Sequence, residues 1–540
     1  MTTEARGEAA IADRAGRREW IGLAVLALPT LLLALDMSVL YLALPALSAD
    51  LGASATEQLW IMDVYGFMIA GFLVTMGTLG DWIRRRRLLM VGGVAFATAS
   101  VAAAFAGSPE LLIAARALLG IAGATLMPST LALIRNMFHD PAQRTTAIAA
   151  WMSSFMVGTI IGPLVGGALL ERFWWGSVFL LAVPAMVLLL VSGPILLPEY
   201  RDPNPGRLDF ASVLLSLAAV ILTIYGVKEF ATDGLAAIPL LATVIGLAIG
   251  AVFAQRQRTL ANPLLDLSLF ADRKFSASLG TLTLTLFAMS GVFFFLAQYL
   301  QLVLGYSPFE AGLWTLPQAL AMIVAAALTS TLVRFVRPAY VMSAGLLVAV
   351  AGFSLLAQLD GQSDIWLLVA GQVIMSLGFG PTMILGIDMI VGAAPPERAG
   401  AASAVSETGQ EFGLAIGVAI LGSIGTAVYR RSLDGSLPAG IPQADATTAR
   451  DTLGGALDVA AALPGQAGVD FAEAARQAFT QGLQVNVVIA AVFTAGAALL
   501  PVLLLRHVRP ASENSDEIHE TSPDSEGGSA RQPVPGPVYE

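Results

Sequence analysis

The sequence predicts an all-α polytopic membrane protein with about 14 transmembrane helices, and three observations carry that prediction. Of 540 residues 56% are hydrophobic and only 13% charged, against roughly 25% charged in a soluble domain. The mean hydropathy is +0.74. Between Trp20 and Leu505 the apolar residues gather into runs of about 18 to 27, the length that crosses a ~30 Å hydrocarbon core as a helix. No ten-residue alternating strands appear, so a barrel is excluded.

In order, the runs place spans near 20–47, 57–80, 88–106, 110–135, 145–170 and 176–197. A proline-bearing linker follows at 198–208, and then two spans near 209–228 and 235–255. Six more lie near 276–304, 308–333, 339–358, 364–392, 402–428 and 483–505. Segment 1–19 reads as a polar, basic N-terminal segment. The bundles are therefore 20–197 and 276–505, joined by a two-helix connector at 209–255. A long external loop spans 429–482, and a Ser-, Pro- and Glu-rich tail at 506–540 is expected to be disordered. The first apolar run is long enough for a full span, so no cleavable signal is expected.

Basic residues fix the expected orientation, because Lys and Arg are retained on the cytoplasmic side. With the N-terminus inside, Arg84–Arg87, Arg135, Arg144, Arg201, Arg207, Arg256, Arg258, Arg273, Lys274, Arg334, Arg337 and Arg398 are all cytoplasmic. Both termini then face the cytoplasm of a cell-membrane protein. An internal echo divides the chain further. Pro141–Arg144 with Gly158 and Gly162 recurs about 255 residues later as Pro395–Arg398 with Gly413 and Gly417. Repeated halves around a central site are a common build for secondary transporters.

Chemistry-bearing residues are few. The absence of cysteine excludes disulfides and thiol chemistry, and the three histidines fall in loops or the tail, so no metal site is expected. A charged side chain in the bilayer costs at least about 2.5–3.5 kcal/mol, so each intramembrane acid calls for a function. Asp36, Asp63, Glu407 and Glu411 are such acids, the last two sharing a helix face. Acids that hold a proton when empty and release it to an organic cation supply the minimum physics of a cation/proton exchanger. Trp60, Tyr65, Trp151, Phe155, Tyr299 and Trp314 are candidate cavity aromatics, since ring faces attract cations.

Arg116 is the one basic residue placed inside a span, followed on its helix by Gly120 and Gly123. It can pair with an acid, bind a carbonyl or relay charge. Gly77 and Asp81 precede Arg85 and Arg86 at a cytoplasmic turn, an arrangement suited to a state-dependent salt bridge. Gly158, Gly162, Pro163, Gly166 and Gly167 make span 5 a close-packing, bent helix.

Together these motifs resemble the fourteen-helix drug:proton antiporter branch of the major facilitator superfamily, over nearly the whole chain. Gly77–Arg87 is similar to its loop 2–3 signature, with Arg84 where a glycine is usual; Arg116–Gly123 and Gly158–Gly167 are similar to its span 4 and span 5 motifs. Leu35–Pro45 is similar to the branch's span 1 motif, and Trp60–Tyr65, Leu118–Ser129 and Val405–Gly413 resemble its quaternary-ammonium exporters. The resemblance implies a major-facilitator fold of six, two and six helices and proton-driven export of lipophilic cations by alternating access. It implies substrate or proton roles for Asp36, Asp63 and Glu407. Met322 stands where such exporters place a span 10 acid, and Ser406 replaces the first acid of a span 13 pair. The expected partners are organic cations, protons and the bilayer, without nucleic acid or cofactor; the proton gradient is the energy source and the chain works as a monomer. Export of one endogenous metabolite is the rival reading. A membrane enzyme or an ATP-driven pump lacks its nucleophile–base pair or nucleotide loop.

Overall fold

A computed structural model describes residues 15–199, 209–233, 237–260, 263, 267–360, 365–393, 399–438, 441–506 and 508. The expected tail from 509, most of the linker, and Arg201, Arg207 and Arg398 lie outside the described residues. Every regular element among the described residues is helical. In lipid each backbone N–H and C=O must be satisfied within its own segment, which leaves a helix as the available form for these apolar runs.

The first half comprises α1 (Arg17–Leu51), α2 (Ala55–Ile83), α3 (Arg85–Ala104), α4 (Pro109–Met137), α5 (Pro141–Arg172) and α6 (Ser177–Leu196). Two further helices follow, α7 (Phe210–Asp233) and α8 (Ala237–Thr259). The second half is α9 (Arg273–Gln298, continuing as a π turn Tyr299–Val303), α10 (Pro308–Leu332), α11 (Pro338–Leu356), α12 (Ile365–Gly392) and α13 (Ala399–Leu433). Two short helices, α14 (Gln443–Asp451) and α15 (Leu453–Ala462), precede α16 (Gln466–Leu504). Most of the loop expected at 429–482 is thus helical, and α16 starts well before its apolar run.

Twelve helices among the described residues are long and apolar enough to cross a membrane. The expected fourteen are not confirmed. The other long helices, α2 with 29 residues and α7 with 24, fall outside the twelve.

Helix ends are set by local chemistry. Ser54 accepts from Glu57 N while its own N–H donates to the Glu57 carboxylate at 2.8 Å, a capping box that opens α2. Ser307 and Glu310 repeat it at α10, and Asp140 caps α5 ahead of Pro141. These caps satisfy orphan N–H groups where the helices leave lipid.

The sequence echo has a packing counterpart. Glycines of α5 lie on α1: a Cβ at Gly158 would stand 3.0 Å from Ala34 Cβ, and one at Gly166 would run into both methyl groups of Val39. Glycines of α13 lie on α9 in the same manner, Gly413 against Thr283 O and Gly417 against Phe287. Close glycine-mediated contact replaces the hydrophobic drive that is missing in lipid. α7 and α8 pair with each other through Gly226 and Gly246. α7 also leans on both halves, placing Leu217 at Gly71 of α2 and Val220 beside Phe67 and Ala415.

Contacts between the halves gather from mid-bundle toward the end that carries α14 and α15. Gln301 donates to Leu42 O at 3.1 Å and Ser307 donates to Glu171 at 2.6 Å. Gly167 meets Pro308 and Phe309, and Gly312 meets Pro163.

Candidate functional site

Arg116 organises the interior of the first half. Its Nη1 donates to Asp36 Oδ2 at 2.5 Å and its Nε donates to Ile61 O at 3.2 Å. Its guanidinium carbon lies 4.5 Å from the centroid of the Tyr65 ring. The side chain is 1% exposed and that of Asp36 11%. A charge this deep is tolerated because a carboxylate, a carbonyl and a ring face all compensate it.

Glycines explain how three groups from two helices reach the guanidinium of a third. On α4, a Cβ at Gly120 would stand 2.7 Å from Met68, and one at Gly123 would stand 3.5 Å from the Tyr65 hydroxyl. Their bare backbones let α2 approach α4 at Ile61 and Tyr65. On the far side of α1, Gly162 of α5 sits against Ser38 and Leu35 O, flanking Asp36. The span 4 and span 5 motifs therefore press α1 and α2 together around the ion pair.

The second half contributes Glu411 of α13. Its side chain is 9% exposed, and its Oε2 has no hydrogen-bond partner among the described residues. That oxygen points at Gly66 of α2, across the boundary between the halves. Asp63, 3% exposed, lies one turn before Gly66 on α2. Glu407 is half-buried one turn before Glu411. Tyr41 of α1 lies within electrostatic reach of Asp63, Glu411 and Arg116.

The remaining residues singled out by sequence distribute unevenly. Tyr65 is part of the site. Trp60 sits near it, tilted against Tyr225 of α7 at 6.4 Å. Trp151 is buried, its Nε1 without a partner among the described residues, and Phe155 is half-buried one turn further along α5. Tyr299 lies apart, donating to Asp360 O, and Trp314 packs on Trp366 at 5.5 Å. Met322 is half-buried in α10.

At the arginine-bearing end, Gly77 approaches Pro128 of α4. The side chain of Asp81 lies outside the described residues. Arg85 folds over Gly80, where a Cβ would stand 2.8 Å from its Nη1. Arg86, expected in a gate with Asp81 and Arg85, binds Glu199 at 2.5 Å and the carbonyls of Leu197 and Pro194. Free carbonyls at a helix C-terminus attract cations, so Arg86 anchors the end of α6. Arg84 has φ 117° and ψ 130°, and it is the one non-glycine residue with positive φ among the described residues. The turn keeps the shape of the family's glycine although the residue is arginine.

Tyr41, the Ile61 carbonyl and Gly66 were not marked by the sequence. A tyrosine or glycine in a span carries no cost that flags it, and a carbonyl is present at every residue. Among the described residues no group of His, Cys, Asp or Glu is arranged to hold a metal ion.

A helical bundle with close-packed glycine seams and buried charge at the junction of two halves defines a membrane transporter. The profile of the Major Facilitator Superfamily matches residues 26–418, and the chain belongs to that family. It is 46% identical to the multidrug efflux pump LfrA of Mycolicibacterium smegmatis, over 90% of this chain and 96% of that protein. It is 33% identical to the methyl viologen resistance protein SmvA of Salmonella typhimurium, over 86% and 93%. The tetracenomycin C resistance and export protein of Streptomyces glaucescens is 29% identical over 93% and 94%. Among solved structures, a bacterial homolog of the human lysosomal transporter Spinster, inward-facing and unoccupied, shares the fold with a TM-score of 0.62 and 17% identity, covering 92% of this chain and 99% of that one. The protein is thus an integral membrane transporter and not an enzyme.

Proposed function

We propose that the protein is a proton-coupled efflux antiporter that expels lipophilic organic cations, such as quaternary ammonium compounds, dyes and fluoroquinolones, by alternating access. The observation that carries this reading is the unpartnered Glu411 Oε2 at the junction of the halves. An ionised carboxylate left unpaired in a low-dielectric interior costs several kcal/mol. A proton removes that cost and so does a substrate cation, but one displaces the other. Asp36 plays a different part, because Arg116 already neutralises it; the pair shapes the site and holds α1 against α4. Glu407 and Asp63 extend the acidic surface to either side. The relatives' names as a multidrug efflux pump and resistance proteins support export as the direction.

In this reading the arginine-bearing end is cytoplasmic by the positive-inside rule. The contacts at Ser307–Glu171 and Gln301–Leu42 then close the outer side, so substrate enters from within the cell. The test uses everted membrane vesicles with an imposed proton gradient, reading proton release on addition of ethidium. Wild type releases protons, whereas Glu411→Gln, inserted at the same level, does not. Undiminished release by Glu411→Gln would remove Glu411 from the mechanism, and ethidium transport indifferent to an uncoupler would remove the proton.

A further inference from the structure

Helix α2 meets α13 across the junction of the halves, and at one point it presents a glycine to an acid. A Cβ built on Gly66 would stand 3.1 Å from Glu411 Oε2, and among the described residues no other atom beyond its own helix backbone and chain neighbours lies within 4 Å. Three close-packed glycines of the first half differ in kind. Gly120 abuts Tyr65 O, Gly158 abuts Leu31 O and Gly167 abuts the Pro308–Phe309 backbone, so each serves helix-to-helix approach. Gly66 faces a single flexible, ionisable side-chain tip. The space it leaves is filled by a carboxylate oxygen that lacks a partner among the described residues.

We propose that Gly66 is a positioning residue for exchange: its missing side chain creates the niche in which Glu411 rests against the opposite half. The proposal rests on Glu411 being an exchanging acid. The niche has consequences for charge. Tyr65 approaches Glu411 from α2 and Tyr41 from α1, with Glu407 on its own helix. Seated at Gly66, the carboxylate shares this surrounding, which both halves supply. Pressed by a methyl group, it must give way by a few tenths of an ångström, away from the first half. The link between its charge and the fit of the halves is then weakened. A cation or proton bound there biases less strongly how α2 and α13 meet.

The experiment compares Gly66→Ala, Glu411→Asp, the double variant and Glu411→Gln in everted vesicles, reading ethidium-induced proton release at matched membrane levels. Gly66→Ala is expected to lower release roughly fivefold, within the range of couplings between touching residues. Glu411→Asp, with a side chain one methylene shorter, is expected to restore release in the Gly66→Ala background although it impairs release in the wild-type background. A merely structural glycine would show no such reversal. Wild-type release by Gly66→Ala, or a double variant no better than Gly66→Ala, would overturn the proposal. Failure of Gly66→Ala to insert would overturn it as well, since Gly66 would then meet more than Glu411. If Glu411→Gln couples normally the functional reading itself fails; if it is uncoupled while Gly66→Ala is silent, only the niche fails.

Discussion

Arg116 of α4 and Asp36 of α1, separated by 80 residues in the chain, form a buried ion pair at 2.5 Å with Tyr65 beneath the guanidinium. Arg116 is almost fully buried and Asp36 largely so. The pair therefore ties α1 to α4, and each charge needs the other.

Removing one member should cost more than removing both charges, because a lone buried charge is left behind. Arg116→Ala and Asp36→Asn are each expected to lose about 3–5 kcal/mol of stability. The double variant Asp36→Asn/Arg116→Gln should recover much of it. Thermal unfolding of the detergent-solubilised protein measures both, and equal stability of Arg116→Ala and wild type would refute the pair's importance. Dye efflux should be lost in all three, since the site's shape depends on the ion pair.

Span 5 should be intolerant of bulk where it flanks the ion pair. Gly162 lies against Ser38 and Leu35 O, so Gly162→Leu must push α1 and Asp36 away from α4. Overpacking of this kind costs about 1–3 kcal/mol. The variant should insert yet fail to pump, and Gly162→Ala should fall between it and wild type in ethidium efflux rate.

Arg84 carries backbone strain, with φ at 117°. Such conformations cost of order 1–3 kcal/mol outside glycine. Arg84→Gly should therefore raise the unfolding temperature, by an amount corresponding to about 1 kcal/mol. A lower unfolding temperature would mean that the arginine side chain contributes more than the strain removes.

The α7–α8 pair should be held by its Asp209–Arg256 clamp over an unusually wide pH range. Arg256 donates twice to Asp209 at 2.9 Å, and Ser212 adds a third bond. Chiefly through the Arg256 hydrogen bonds, the Asp209 carboxyl is held well below the usual carboxylate range. A depressed acid stabilises the fold fully above its unfolded value, about 3.9, and loses that contribution as pH falls through its folded value. Wild type should exceed Asp209→Asn in unfolding temperature by a constant margin from neutral pH to about pH 5, and the curves should converge only in stronger acid. Both groups are partly exposed, so the margin should be small. A margin that disappears between about pH 6 and 5 would place the clamp elsewhere.

By itself, the sequence determined the membrane-spanning helical class, the glycine seams and the roster of acids. Each follows from a local cost: apolar length against bilayer thickness, bare backbone against helix approach, and charge against low dielectric. Asp36, Asp63, Glu407 and Glu411 stood out because a bilayer makes every acid expensive wherever its neighbours lie. Tertiary structure decided the partners. Only the packing of α1 on α4 shows that Asp36 is neutralised by Arg116, and only the α2–α13 junction shows that Glu411 is not matched in the same way. Arg86 reached Glu199, 113 residues away, a partner that no local pattern in the sequence marks. Gly66 had no signature, because an empty space acquires meaning only from the atom that fills it. Partner choice depends on helix rotation and on contacts between distant segments, and the hydrophobicity of a span does not encode either.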